Sequence, residues 1–426
     1  MAVPSIVGRM ASLWSKPARP LVKHEKSVVL LGFFARGNAG DEAFLHVQYE
    51  LLKDQYNIIV PIEHKNAHPD FHKWYPYTEC EIINYDEIPR LYGQDVAGIH
   101  IGGGSLAFGF SGQFLLTAMD ARKKTLISGI DASLKPRLPA DHIRFAIYDR
   151  LDFLSVRTVK SIDNLRKNNI PVHHGADWAL GLGVIEPPKD KRGGALITIR
   201  AFGEPPGDEH RRDMLALHKY LERQGHKVRY LPFAPEDRKF LDHFPHIRPS
   251  IIENVWHDPR QVKGLIKEAD FVVSVGRLHT LILSMTAHTP TFAIDPKIMA
   301  DGRHILNRKN VFFTEEVGLP FYYSVNEAIE AYGDDFNTKV TVKDFAPDYY
   351  ERLKSQMGYV RQILGTPAEE LPARGTEGHW AGATAGGRTL AVSQAQTEAD
   401  EAAREEKRRL KREEKRREKL AAKGKV

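Results

Sequence analysis

The chain has 426 residues, 42% of them hydrophobic, with a formal net charge of +6; that length exceeds what one hydrophobic core normally organises and predicts about two domains. The surplus charge is terminal, because residues 1–26 carry +4, residues 398–426 carry +4, and the body between them carries −2, which excludes the basic surface of a nucleic-acid binder. A single cysteine, Cys80, excludes an internal disulfide or a cysteine-rich metal site and fits a reducing compartment.

In chain order, Ile6, Val7, Met10, Leu13 and Trp14 mark one face of a short helix, with Lys16, Arg19 and Lys23 after it. This arm, residues 1–26, reads as a helix packed on the body or a loose segment, with peripheral contact to an anionic membrane as the functional alternative. No apolar run reaches the roughly 18 residues of a spanning helix and no signal-peptide core is present, so the expected location is the cytoplasm, with the inner face of the membrane as the place for any such contact. From Ser27 an α/β alternation begins. Ser27–Phe34 reads as a buried strand, followed by GNAGD and a helix bearing Ala43, Leu45, Val47, Leu51 and Leu52. Further strands are expected at Asn57–Ile62, Cys80–Asn84, Val96–Ile101, Lys124–Ser128 and Asp152–Val156, with helices at Gln113–Arg122 and Asp141–Asp149.

Two prolines, two glycines and a charge cluster break the pattern at Glu186–Gly194. A second series then runs through strand Ala195–Ile199, helix Asp208–Arg223, strand Lys227–Pro232, helix Asp258–Glu268, strand Phe271–Val275 with its own helix, and strand Thr291–Ile294, closing with helix Asp348–Leu364. The expected architecture is α/β: a Rossmann-like domain at 27–186 and a second at 195–365 facing a cleft, then a flexible linker at 366–397 and a charged helical tail at 398–426.

Chemistry concentrates at strand ends. Gly37-Asn38-Ala39-Gly40-Asp41 follows the first strand and opens a helix, so Asn38 and the backbone are placed to meet a ligand while Asp41 is either an N-cap or a functional carboxylate. Gly102-Gly103-Gly104 follows Val96–Ile101 and offers a nest-like surface, with Gly103 and Gly104 as candidate ligand contacts. Arg157, Arg200 and Arg277 each follow a different strand, and His279 stands two residues past Arg277 where a helix starts. Guanidinium groups and an imidazole at the carboxyl edge of parallel strands suit an acidic ligand. An arginine capping a neighbouring helix and a satisfied core histidine would leave the same residues in that turn, so this stretch alone keeps both readings open. His173-His174 and His64/His68 lack a metal-ligand pattern and read as surface or structural; no metal and no cofactor is expected.

Taken together, GNAGDEAFL, IGGGSL, SVRTVKSIDNLRKNNI, HHGADWAL, FVVSVGRLHTLILSMTAHTP and AIDPK resemble the polysaccharide pyruvyl transferase family over about residues 28–300. The resemblance implies a GT-B-like fold and transfer of the pyruvyl carbons of phosphoenolpyruvate, as donor substrate, to a sugar hydroxyl of a polysaccharide or its lipid-linked precursor. By the same resemblance Arg277, Leu278 and His279 bind ligand, with Arg157 on the donor and Asp41 as the acidic residue of the glycine loop. Asp41 and His279 are the candidates for proton transfer, in an order the sequence leaves open. A nucleotide-sugar glycosyltransferase of the same fold, or a non-catalytic glycan-binding protein on it, are the alternatives.

Overall fold

The structure, a computed structural model, describes residues 24–93, 96–103, 108–132, 139–201, 205–253, 255–295 and 308–365. Gly104, most of the N-terminal arm, the expected linker and the charged tail lie outside the described residues.

The first half is built on seven parallel strands, β1 (Ser27–Leu31), β2 (Asn57–Ile62), β3 (Glu81–Asn84), β4 (Val96–Gly102), β5 (Lys124–Ile130), β6 (Phe153–Val156) and β7 (His173–His174), in the order β3-β2-β1-β4-β5-β6-β7. Helices α1 (Ala39–Leu52), α2 (Phe108–Asp120), α3 (Pro139–Arg150) and α4 (Val159–Arg166) connect them. The strands are apolar on both faces because helices cover both, and Val29, Leu31, Ile99, Ile101, Ile127 and Leu154 form the core with α2 and α3. The first strand stops at Leu31, short of Phe34: the chain turns through Ala35 at φ 63°, a conformation that no strand continues.

The second half carries five parallel strands, β8 (Ala195–Ile199), β9 (Val228–Tyr230), β10 (Phe271–Val275), β11 (Thr291–Ile294) and β12 (Phe321–Tyr322), in the order β12-β11-β10-β8-β9. Its helices are α5 (Asp208–Arg223), α6 (Pro235–Asp242), α7 (Pro259–Lys267), α8 (Leu278–Thr286), α9 (Arg308–Val317), α10 (Val325–Tyr332), α11 (Phe336–Lys339) and α12 (Pro347–Gly365). Helix α12 closes the chain on the other half. Gln356, fully buried, accepts from Ser155 Oγ at 2.6 Å and from Ala176 N at 3.2 Å, and Lys124 Nζ donates to Leu364 O at 3.1 Å. Among the described residues no helix is long and apolar enough to cross a membrane.

Both sheets are wound in two directions from one point. In the first, the order reverses between β1 and β4, paired through Leu31 and Ile101; in the second it reverses between β8 and β10, paired through Ile199 and Val275. Such switch points open a crevice at the carboxyl ends of the strands, where ligands of open α/β sheets bind. Asn38, Asp41 and Gly103 follow β1 and β4, and Arg200, Arg277 and His279 follow β8 and β10.

Candidate active site

Helix α1 begins with Asn38 as N-cap, its Oδ1 accepting from Gly40 N at 3.1 Å, so the capping role goes to Asn38 and leaves Asp41 in the first turn without it. The loop docks on the second half through Ala39 N, which donates to Phe233 O at 2.8 Å. Gly37, at φ 78°, adopts a conformation that disfavours a side chain and packs closely on the second half, since a Cβ there would lie 3.0 Å from Trp256 and 3.2 Å from Pro235. Beneath it, buried Glu42 accepts from Gly37 N at 3.1 Å and from Tyr77 Oη; burial pushes its carboxyl up to about 8. The glycine spacing thus serves close approach of the two halves at this loop.

Across the cleft, β10 ends at Val275, the chain turns through Gly276, and Arg277 takes the N-cap position of α8 through its backbone alone. The Arg277 side chain instead pairs with fully buried Asp237 of α6, which also accepts from Ala201 N at 3.0 Å and Phe233 N at 3.2 Å; Glu236 stands 3.9 Å away. Nε of Arg277 is buried with no hydrogen-bond partner among the described residues. Leu278, the next residue, is buried in the helix packing. His279 is pressed against the opposite half: a Cβ on Gly40 would fall 1.9 Å from its Nδ1, and its ring meets Phe44 edge-on at 4.9 Å. Gly103, at φ 81°, leaves the space that Phe44 occupies, since a Cβ there would lie 2.1 Å from that ring. Gly103 therefore supports the His279 contact from behind.

The arginine after β6 is placed differently from the other two. Arg157 is buried, and its guanidinium donates to Asp131, with Nε at 2.9 Å, and to Asp177. Its fork, expected on the donor, is occupied by these two carboxylates. Asp177 Oδ2 in turn lies 3.7 Å from His279 Nε2, which is buried and has no hydrogen-bond partner among the described residues, so Arg157 reaches the imidazole through Asp177. Thr158 caps α4, accepting from Ser161 N.

Arg200 is the reverse case. Its side chain is exposed and makes no hydrogen bond or ion pair among the described residues, and partial burial together with the nearby Arg277 guanidinium holds it below its ordinary value. Lys309, at the start of α9, is a further cation that the sequence pattern did not bring forward, since it follows no strand end. Burial, then Arg157, lowers its ammonium to about 8, against the pull of Asp131 and Asp41. The carboxylate and the imidazole respond to this setting in opposite directions. Burial, opposed by Arg277, Lys309, Arg157 and Arg36, raises Asp41 to about 7. Burial, then Arg157, Lys309 and Arg277, drives His279 well below 6.5 and keeps it neutral. The arrangement sets Arg200, Arg277 and Lys309 near a carboxyl whose proton affinity burial raises and an imidazole whose proton affinity burial lowers. Among the described residues no group of three or more His, Cys, Asp or Glu is placed to hold a metal ion.

The profile of the polysaccharide pyruvyl transferase family matches residues 38–297, well over half of the chain, and the chain belongs to that family. No curated protein matches it by sequence. Among solved structures it is similar to a Listeria monocytogenes protein assigned as a UDP-N-acetylglucosamine 2-epimerase, with TM-score 0.56 and 13% identity, covering 82% of this chain and 97% of that one. The S. aureus MnaA–UDP complex matches with TM-score 0.52 and 13% identity over 80% of this chain and 97% of that one. The UDP-N-acetylglucosamine 2-epimerase of Rickettsia bellii gives 0.50 and 12% over 80% and 96%. At such identities the likeness is one of fold, and the fold is GT-B-like: two Rossmann-like halves about a cleft.

Proposed function

We propose that this member of the polysaccharide pyruvyl transferase family moves the pyruvyl group of phosphoenolpyruvate onto a sugar hydroxyl pair of a glycan or its lipid-linked precursor, forming a ketal and releasing phosphate. One observation carries the reading: the helix start that bears Asp41 meets His279 of the opposite half, where a Cβ on Gly40 would lie 1.9 Å from the imidazole Nδ1, and both residues feel the charges of Arg277 and Lys309. Phosphoenolpyruvate carries a carboxylate and a phosphate, which guanidinium and ammonium groups bind in place of water.

The residue types support a division of labour. A sugar hydroxyl oxygen bonds to C2 while its proton passes to neutral His279, and C3 takes the proton held by the Asp41 carboxyl. Asp177, braced by Arg157 and 3.7 Å from Nε2, favours the tautomer protonated there and leaves Nδ1 as the base. The bond from C2 to the phosphate oxygen then breaks, phosphate leaves against the cations and takes the proton from His279, and the second hydroxyl closes the ketal, giving its proton to the Asp41 carboxylate. No step of this route requires a metal. We place the reaction in the cytoplasm, with the acceptor presented there or at the membrane's inner face. The test is phosphate release from phosphoenolpyruvate that depends on a glycan acceptor and persists with chelator; no such release, with acceptor-dependent release of a nucleotide from a nucleotide sugar instead, would overturn the proposal.

A further inference from the structure

A cavity of about 460 Å³ opens beside Asp41, between the loops after β1 and β2 and the start of α6. Arg200, Arg277 and Lys309 do not line it, so it adjoins the cation cluster through Asp41, and Glu236 on its wall stands 3.9 Å from Arg277. Its volume is that of a small-molecule site. Its cations are balanced: Arg36 pairs with Glu63 at 2.9 Å, and Lys239 shares its wall with Glu236. A second highly charged ligand is not what this lining would attract.

The polar groups suit hydroxyls, which both donate and accept. Asn38 uses Oδ1 on Gly40 N and keeps its NH2 as a donor, whereas Asn66 uses Nδ2 on Glu63 at 2.5 Å and keeps Oδ1 as an acceptor. His68 Nδ1 accepts from Asp70 N at 3.2 Å, which puts the ring proton on Nε2, and burial lowers the ring's basicity so that it stays a neutral donor. Phe33 adds an apolar plate. Arg36 lies over its ring at 5.1 Å, and the residue remains 38% exposed on the cavity wall. The C–H face of a pyranose is the ligand surface that an exposed ring beside such donors and acceptors recognises.

We propose that this cavity is the acceptor subsite, seating one neutral hexopyranose ring on Phe33 with a hydroxyl pair directed to Asp41. The proposal rests on the transferase reading and names its acceptor. It is tested by saturation-transfer NMR of the full-length protein with methyl glucoside, methyl galactoside and methyl mannoside, with thermal stabilisation by phosphoenolpyruvate measured on the same samples. The expected result is transfer to the ring protons of at least one glycoside, with Phe33→Ala weakening its binding by about tenfold, the scale of one aromatic contact, Phe33→Tyr restoring it, and donor stabilisation unchanged in both variants. Stabilisation by phosphoenolpyruvate with no transfer to any of the three glycosides, or transfer that survives Phe33→Ala, overturns the subsite. Transfer without stabilisation by phosphoenolpyruvate keeps the subsite and overturns the donor instead.

Discussion

Asp41 and His279 give the sharpest predictions at the scale of single residues, because their proton affinities move apart for reasons that can be tested separately. A carboxyl raised to about 7 in the folded chain and free near 3.8 when unfolded binds more protons folded, so stability linked to it is full below about pH 4 and falls as pH rises toward 7. Asp41→Asn should therefore abolish turnover yet raise the melting temperature at pH 8 relative to wild type, and by much less at pH 4; a variant destabilised at both would mark Asp41 as structural. In the wild type, turnover should decline as pH rises through about 7, as Asp41 loses the proton that C3 needs. His279→Ala should lower turnover roughly 10²–10⁴-fold with donor affinity nearly unchanged, and weak donor binding with normal turnover would count against the base. The sequence pointed to both residues because each stands where a helix starts after a buried parallel strand, although an N-cap or a core histidine would have left the same pattern. It could not show that Arg157 is paired to Asp131 and Asp177, since that depends on three loops meeting, nor Lys309, whose position depends on the path of the chain before α9.

Among the elements, the start of α1 and the helix α9 matter most. Gly40 is one point where the two halves touch, and Gly40→Ala would put a methyl carbon 1.9 Å from His279 Nδ1, displacing the ring or parting the halves. A loss of turnover comparable to that of His279→Ala is expected, and an alanine variant of normal activity would show that the ring is free to move at no cost. Helix α9 spans from the second sheet to the first half: Lys160 pairs with Glu315 at 3.0 Å, Val159 N donates to Glu316 at 3.1 Å, and Tyr349 Oη donates to the same carboxylate at 2.8 Å. These contacts hold the turn that bears Lys309. Because burial lowers that ammonium to about 8, the folded state favours its neutral form, and Lys309→Met should weaken phosphoenolpyruvate binding, most clearly below pH 8, while leaving the melting temperature the same or higher. Calorimetric titration at pH 7 and pH 9 would separate these outcomes. The strands were readable from β-branched runs, as Asn57–Ile62 and Phe271–Val275 coincide with β2 and β10. Helices α6, α9 and α10 were not, for their eight to ten residues carry too few apolar positions to stand out from loop.

For the whole molecule, the two-sheet plan was legible because each half repeats the strand–helix alternation, whereas the return of α12 to the first half was not: its apolar stripe does not say which sheet it covers. Gln356 joins it to Ser155 and Ala176, all buried, so Gln356→Ala should destabilise the chain by about 1–3 kcal/mol through the partners left unsatisfied. Removing the residues after 375, by contrast, should leave cooperative unfolding intact, since that segment is poor in large apolar groups. The account turns on the donor, and a ligand that binds only the folded state must stabilise it, by about 2.7 kcal/mol at a hundredfold excess over its Kd. The most direct measurement is the melting temperature of the full-length protein with phosphoenolpyruvate or with UDP-N-acetylglucosamine, at pH 7 and with chelator. The account predicts a rise with phosphoenolpyruvate that Arg277→Lys largely removes, and none with the nucleotide sugar; a rise with the nucleotide sugar alone would contradict it.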